Sequence, residues 1–257
     1  MPQPAIKKNV ALFVTCLVDL NRPSVAFAAI RLLEAADCTI VVPPEQTCCG
    51  QIAYNSGDKE SAKAIARAVL RAFDGFDHVV VPSGSCAGMI TKHYAELFEG
   101  DDTIMVAVNA LAARTHELTA FLHDICGYRP ADIHYPARLT YHDSCSSLRE
   151  MKVRDQPRAL LSAVEGLEIH EAEDAAACCG FGGTFCLKYS EISEAMVDAK
   201  IDNLLATGAN TLAAGDLGCL MNIAGRLKRR GAAMKVLHVA EILAGMGDAP
   251  GLGEGGR

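Results

Sequence analysis

The sequence lacks three features that would each indicate a broad class of protein. It has no excess of basic residues: 24 lysines and arginines against 31 acidic residues give a net charge of −7, which argues against binding to nucleic acid or to an anionic membrane surface. No apolar run approaches the ~18 residues of a membrane-spanning helix. No low-complexity tract occurs, and 50% of the residues are hydrophobic, so we expect a folded chain rather than a disordered one.

Motifs for nucleotide binding and for zinc proteolysis are also missing. No GK[ST] string is present, and the glycine spacing of GxGxxG at Gly251, Gly253 and Gly256 neither follows a predicted strand nor precedes a helix. His116-Glu117 begins like a zinc-protease motif, but alanine stands where the second histidine belongs. These familiar activities therefore have no support.

Cysteine is abundant, with 11 residues in 257. The number is odd, and adjacent cysteines such as Cys48-Cys49 and Cys178-Cys179 cannot easily reach disulfide geometry. A disulfide scaffold is therefore not indicated, and we expect a reducing, cytoplasmic location. The apolar segment 10–18 follows two lysines but has no small-residue cleavage site, so it is predicted to be a strand rather than a secretory signal.

The cysteines also reveal an internal repeat. Three cysteine positions recur 129, 130 and 133 residues later, and a glycine follows each adjacent pair: Cys16 with Cys145, Cys48-Cys49-Gly50 with Cys178-Cys179-Gly180, and Cys86 with Cys219. Such recurrence indicates duplication of a unit of about 130 residues. We predict a first repeat over 1–130, a second over 131–248, and a flexible glycine-rich tail over 249–257.

Within each repeat, short β-branched runs alternate with helical patterns, which predicts an α/β fold of two tandem, pseudo-symmetric βα repeats with parallel sheets. The predicted strands are 10–15, 39–42, 78–81, 104–108, 139–142, 167–171, 211–214 and 235–239. Helices are predicted between them, including one over 110–122.

Each recurring cysteine follows a predicted strand. Loops at the carboxyl ends of parallel strands meet in one crevice, so the thiols of each repeat should converge there. We define the first cysteine set as Cys16, Cys48, Cys49 and Cys86, and the second cysteine set as Cys145, Cys178, Cys179 and Cys219. Four thiolates match the ligand count of a [4Fe–4S] cluster and of a Cys₄ zinc site. The absence of any CxxC is less typical of structural zinc.

The spacing C-x31-C-C-G, followed about 35 residues later by another cysteine, resembles the cysteine-rich CCG domain. The segments YHDSC (141–145) and CCGFGGTF (178–185) are typical of that family. The domain occurs twice in the cysteine-rich component of heterodisulfide reductase, in the iron–sulfur component of glycolate oxidase and in lactate utilisation proteins. Two such domains without a ferredoxin-like segment most resemble the lactate utilisation branch.

The sequence departs from the family pattern at two positions. The family motif ends in CxxC, but Ser83 and Asp216 stand in place of its first cysteine. Each repeat thus offers four cysteines rather than five, which puts the non-cubane clusters of full-motif relatives in doubt here. Cys186 is a candidate fifth ligand in the second repeat. Cys38 and Cys126 lie outside the repeat and are predicted to be core residues.

The resemblance implies an iron–sulfur electron-transfer subunit with one or more [4Fe–4S]-type clusters. Its partners would be the B- and C-like proteins of a lactate utilisation complex that oxidises L-lactate to pyruvate, with no nucleic acid and no transmembrane segment. His142 and Asp143 stand beside Cys145 and could tune or protonate such a site, although a histidine at a strand end is more commonly satisfied by the backbone.

Two other functions remain open. One is a thiol–disulfide redox or zinc-binding protein of the heterodisulfide reductase type, whose metal site would itself bind and cleave a disulfide. The other is a hydrolase with Cys86 as nucleophile, because the segment GSCAG (84–88) follows a strand and opens a helix like a nucleophile elbow. Its candidate bases are His93, His142 and His238. This hydrolase would leave both Cys-Cys-Gly pairs unexplained.

Overall fold

The computed structural model describes residues 7–254, and this part of the chain forms two lobes with one four-stranded parallel sheet each. The strands of the first lobe, in the order β2-β1-β3-β4, are β1 (Lys8–Leu12), β2 (Cys38–Val41), β3 (His78–Val81) and β4 (Thr115–Glu117). The second sheet, in the order β6-β5-β7-β8, comprises β5 (His134–Tyr141), β6 (Glu165–Ile169), β7 (Thr211–Ala214) and β8 (Lys235–His238). The predicted α/β architecture with two parallel sheets is confirmed.

Helices connect the strands, as parallel sheets require. In the first lobe they are α1 (Cys16–Asn21), α2 (Ser24–Ala35), α3 (Gln51–Asn55), α4 (Lys59–Ala72), α5 (Gly84–Gly88), α6 (Tyr94–Leu97), α7 (Asp102–Ala113) and α8 (Leu118–Ala120), with π-helical turns at Met89–His93 and Phe121–Ile125. In the second lobe they are α9 (Cys145–Arg149), α10 (Asp155–Leu161), α11 (Phe185–Lys188), α12 (Ser190–Leu205), α13 (Leu217–Arg230) and α14 (Val239–Leu243). No helix of the described chain is long and apolar enough to cross a membrane.

Helix α4 shows how the sequence sets these elements. Asp58 caps its start by accepting a hydrogen bond from the Ser61 N–H at 3.0 Å. Ala62, Ala66 and Val69 are buried at helical spacing on one face, which packs against the sheet. In the second lobe α12 takes the place of α4, and both helices lie beside the glycine of a cysteine pair.

One hydrophobic cluster joins the lobes. It contains Val10 and Leu12 from β1, Leu139 from β5 and Leu237 from β8, all fully buried, and helix α2 of the first lobe packs on α14 of the second. The two sheets therefore share a core, and the loops at their carboxyl ends are held in fixed positions. The predicted boundary near residue 130 falls between the turn Phe121–Ile125 and β5.

The predicted strand over 104–108 is wrong. These residues lie in helix α7, and the fourth strand is Thr115–Glu117, inside the region predicted as a helix over 110–122. A short apolar run fits a strand and a helix equally well, and here Val106 is 75% exposed on the outer face of a helix. The true strand has the polar sequence Thr-His-Glu, which carries no strand pattern.

The glycine-rich segment predicted as a flexible tail makes specific contacts as far as the structure describes it. The Leu252 N–H donates to the Val236 carbonyl at 2.8 Å, and the Arg22 guanidinium donates to the Pro250 carbonyl at 2.8 Å. Residues 255–257 of that prediction lie outside the described residues.

Candidate metal centres

Both cysteine sets lie at the carboxyl edges of their sheets, where the sequence predicts them. Cys16 is the first residue of α1, shortly after β1, and Cys145 is the first residue of α9, shortly after β5. Thr15 and Ser144 precede them in extended conformation as N-cap residues. Each strand is thus followed by a sharp turn into a helix whose first side chain is a thiol.

The two adjacent pairs sit in matching loops. Gly50 and Gly180 follow the pairs with φ of +87° and +76°, a backbone conformation that favours glycine. Their N–H groups donate to the sulfurs of Cys48 and Cys178, each at 3.4 Å. An N–H donor directed at sulfur stabilises negative charge there, as a thiolate ligand requires.

The last cysteine of each set is the third residue of a helix. Cys86 lies in α5 and Cys219 in α13. The N-cap residues of these helices are Ser83 and Asp216, the two positions at which the sequence departs from the family motif.

The structure brings all four thiols of each set together. The Sγ atoms of Cys16 and Cys48 are 3.8 Å apart, and those of Cys145 and Cys178 are 3.5 Å apart. Further contacts connect the other thiols of each set. Cys49 interacts with Cys48 and Cys86, and Cys179 interacts with Cys178 and Cys219. The sulfur atoms of each repeat therefore form a continuous group, although they come from three separate segments.

These contacts separate the thiol pKa values. Hydrogen bonds from the neighbouring thiols, aided by the glycine N–H, hold the pKa of Cys48 and of Cys178 far below the usual range. Hydrogen bonding and burial raise the pKa of the thiols at Cys16 and Cys145. Each set thus has one sulfur that ionises readily, and a bound metal ion would displace the protons of the others.

The donor set fits a soft metal or an iron–sulfur cluster. One pair in each set, at 3.8 and 3.5 Å, has the spacing of a tetrahedron edge with metal–sulfur bonds of about 2.3 Å, but among the described residues the four sulfurs of neither set all lie within 4.8 Å of one another. A cluster carries each thiolate on a different iron atom, so it requires the sulfurs to lie further apart than one ion does.

Among the described residues, one histidine joins the second cysteine set. A ring nitrogen of His142 and the sulfurs of Cys179 and Cys219 all lie within 4.8 Å of one another. His142 is fully buried, and neither ring nitrogen has a hydrogen-bond partner in the described chain. The expectation that the backbone satisfies this histidine is therefore not met. Burial lowers the pKa of His142 to about 3, so the ring is neutral and can donate a lone pair.

Its neighbour Asp143 has a structural role. The carboxylate accepts two hydrogen bonds of 2.9 Å from Arg158, whose guanidinium also binds Glu171. This ion pair fastens helix α10 to the end of β5, beside Cys145.

The two departures from the family motif meet between the lobes. Ser83 donates to the Asp216 carboxylate at 2.6 Å, and both side chains are buried. Hydroxyl groups from both lobes complete the shell of Asp216: those of Ser85 at 2.7 Å, Ser147 at 3.2 Å and Ser144. Asp216 and its serine partners thus form a buried hydrogen-bonded link between the two repeats.

The other cysteines are less directly placed. The sulfur of Cys186, the candidate fifth ligand, donates to the Gly183 carbonyl at 3.5 Å and is hydrogen-bonded to no thiol of the second cysteine set. Cys38 is buried in the shared core, and Cys126 packs against that core beside it, as predicted.

The structure offers no support for a Cys86 hydrolase. In the described chain no histidine is hydrogen-bonded to Cys86. Of the candidate bases, His93 interacts with Glu96 and Glu150, and the His238 ring accepts the Ala240 N–H as a helix cap. His142 lies with the other set of thiols. The geometry of an activated nucleophile is missing.

A family model described as a cysteine-rich domain, CCG, matches residues 10–91 and again residues 139–224. Each match contains one complete cysteine set. The chain belongs to the cysteine-rich CCG-domain family. The predicted resemblance is confirmed, and the two matches correspond to the two lobes.

Proteins named for lactate utilization match nearly all of the chain. Lactate utilization protein A 2 of Bacillus cereus (strain 03BB102) is 45% identical over 236 residues, which are 92% of this chain and 98% of that protein. Lactate utilization protein A of Geobacillus sp. (strain WCH70) is 46% identical over 91% of this chain and 98% of its own length. A solved structure described as a hypothetical protein from Helicobacter pylori matches the fold with a TM-score of 0.63 at 14% identity, over 96% of this chain and 50% of that one.

Two residues near the second cysteine set were not correctly predicted from the sequence. They are His142 and the buried Lys200, whose ammonium group lies within electrostatic range of Cys179 and Cys219. Comparing the two repeats position by position could have found them, since their counterparts in the first lobe, Phe13 and Val69, are apolar.

Proposed function

We propose that this chain is an iron–sulfur electron-transfer subunit of a lactate-oxidising complex, with one [4Fe–4S]-type cluster in each lobe. The observation that carries the proposal is the duplicated convergence of four thiols, each set including a sulfur that accepts a glycine N–H. The relatives named for lactate utilization supply the reaction class.

Oxidation of lactate to pyruvate releases two electrons and two protons. A bound cluster would supply one-electron redox chemistry at each set. The candidate ligands differ in their exposure to solvent. Cys49 and Cys179 are buried away from water, whereas Cys48 and Cys178 are only half-buried. Electrons would enter or leave at the half-buried sulfurs, and the protons would stay with the subunit that binds lactate.

The partners in this proposal are the B- and C-like proteins of a lactate utilisation complex. The chain would accept electrons from the partner that oxidises lactate and pass them on, rather than binding lactate itself.

The test is lactate-dependent reduction of this chain. Anaerobic protein is mixed with its two partner proteins and L-lactate, and loss of the visible cluster absorbance is followed. We expect bleaching only when both lactate and partners are present. A Cys178→Ser variant should lose about half of the signal, and Cys38→Ala, which changes a core thiol, should lose none. Bleaching by lactate without partners, or none with them, would contradict the assigned role.

A second candidate function is zinc binding, with or without thiol–disulfide chemistry of the heterodisulfide reductase type. The observation that favours it is the group formed by a ring nitrogen of His142 and the sulfurs of Cys179 and Cys219, which lie within 4.8 Å of one another and are ligand types that zinc takes. Zinc is not redox-active and cannot relay electrons, so this candidate does not account for a part in lactate oxidation. Metal analysis separates the two: about one zinc per lobe without sulfide supports the second candidate, and iron with sulfide supports the first.

A further inference from the structure

The two lobes differ in the residues that surround their cysteine sets. Phe13 and His142 hold equivalent positions: the N–H of each donates to the neighbouring strand, to Val80 and Ala213 respectively, both at 2.9 Å. Phe13 is buried and stacks on Phe73 with ring centroids 5.1 Å apart. The first set therefore has an apolar ring where the second has an imidazole with unpartnered nitrogens.

A second difference between the lobes lies on the helices that follow the cysteine pairs. A Cβ on Gly50 would meet Ala62 and Ile65 of α4, and a Cβ on Gly180 would meet Ser193 and Met196 of α12. Both comparisons give an offset of 131 residues, which places Lys200 at the position of the buried Val69. An apolar residue of the first lobe is again replaced by a basic one in the second.

Lys200 is an unusual buried cation. Its side chain is 1% exposed, and its Nζ donates to the carbonyl oxygens of Asp174 at 3.0 Å and Ala175 at 2.7 Å, in the loop that leads into the second cysteine pair. No ion pair forms between Lys200 and a carboxylate within residues 7–254. An ammonium has three donors, so one remains without a partner. A buried charge of this kind is costly unless an opposite charge compensates it.

The groups that can compensate it are few. The Asp143 carboxylate lies within electrostatic range but is bound by Arg158, and the side chain of Asp174 is exposed to solvent. The remaining groups within range are the thiols of Cys179 and Cys219, which become anionic when they bind a metal. Lys200 is therefore placed to balance the negative charge of the second cysteine set.

We propose that Lys200 and His142 give the second centre a higher reduction potential than the first, so that it is the electron acceptor within this chain. The inference rests on the proposed function. A buried positive charge stabilises the reduced, more negative state of the centre, and imidazole ligation or an N–H bond to sulfur acts in the same direction. The transfer moves one electron: the first centre is oxidised by one, the second is reduced by one, and no bond forms or breaks.

The experiment is an anaerobic redox titration followed by visible absorbance and electron paramagnetic resonance. Cys48→Ser leaves only the second centre, and Cys178→Ser leaves only the first. We expect the second centre to titrate at the higher potential. In the Cys48→Ser background, Lys200→Met should lower the equilibrium constant for reduction of the second centre at least tenfold. This corresponds to a reduction potential lower by about 59 mV for a one-electron couple. Lys200→Arg should keep most of the potential.

Controls separate a local charge effect from a general one. Lys188→Met removes an exposed lysine of the same lobe and should leave the potential unchanged, because solvent screens that charge. If the Lys200→Met protein does not retain its second centre, His142→Phe is titrated instead. This substitution introduces the residue that the first lobe has at the equivalent position, Phe13, and should also lower the reduction potential of the second centre.

Equal potentials for the two centres, or equal shifts from Lys200→Met and Lys188→Met, would overturn this inference and leave the proposed function intact. A protein without any titrating iron centre would overturn both.

Discussion

Replacing Asp216 by alanine tests whether the serine–aspartate network fastens the two lobes together. The carboxylate is buried and accepts hydrogen bonds from four serine side chains and from the Ser85 backbone N–H at 3.2 Å. Bonds to a charged group contribute about 1.5–3 kcal/mol each, but they are not additive, and burying the carboxylate itself carries a cost. We therefore expect Asp216→Ala to lower the free energy of unfolding by about 3 kcal/mol.

The assay is anaerobic urea unfolding of both proteins in the same metal state. Asp19→Ala is the matched control, because Asp19 is an exposed aspartate, and its removal should change the free energy of unfolding by less than about 0.5 kcal/mol. A double-mutant cycle between Ser83→Ala and Asp216→Ala should give a coupling of about 1 kcal/mol or more across the lobes. A loss no larger than the control, or zero coupling, would refute the structural role of the network.

Two further predictions concern a buried carboxyl and the glycines of the cysteine pairs. Burial raises the pKa of Glu117 to about 7, so the folded state should lose stability as the pH rises from about 4.5 to 7, up to about 3 kcal/mol; Glu117→Gln should flatten this part of the stability profile, and an unchanged profile would contradict the assignment. Gly180→Ala should cost more stability and metal content than Gly50→Ala, because its Cβ would lie 2.8 Å from the Ser193 carbonyl oxygen whereas that of Gly50 meets nothing closer than 3.4 Å; equal losses would show that the positive φ alone matters.

The sequence predicts the fold best where strands are buried on both faces. The strands His78–Val81 and Thr211–Ala214 have the predicted bounds, because central parallel strands carry continuous apolar runs. The segment 104–108 is also a short apolar run but lies in a helix, and such a run does not distinguish a strand from a helix. The short helices that begin at Cys16 and Cys145 went unpredicted, since they are too short to show a helical period.

Convergence of the thiols followed from the rule that the carboxyl ends of parallel strands share one edge, and the structure shows it for all eight recurring cysteines. Their role as ligands stays a prediction. The contact between Ser83 and Asp216 depends on how the lobes pack, which no local pattern encodes. Lys200 had no local signal either, because a lysine in an amphipathic helix is ordinarily expected to face solvent.

Quantitation of iron and acid-labile sulfide in anaerobically prepared protein tests most directly whether the two cysteine sets hold iron–sulfur centres. We expect about eight iron atoms per chain, four for each [4Fe–4S]-type centre, and about half as many in either Cys48→Ser or Cys178→Ser. Zinc without sulfide, or an iron content that neither substitution changes, would contradict it.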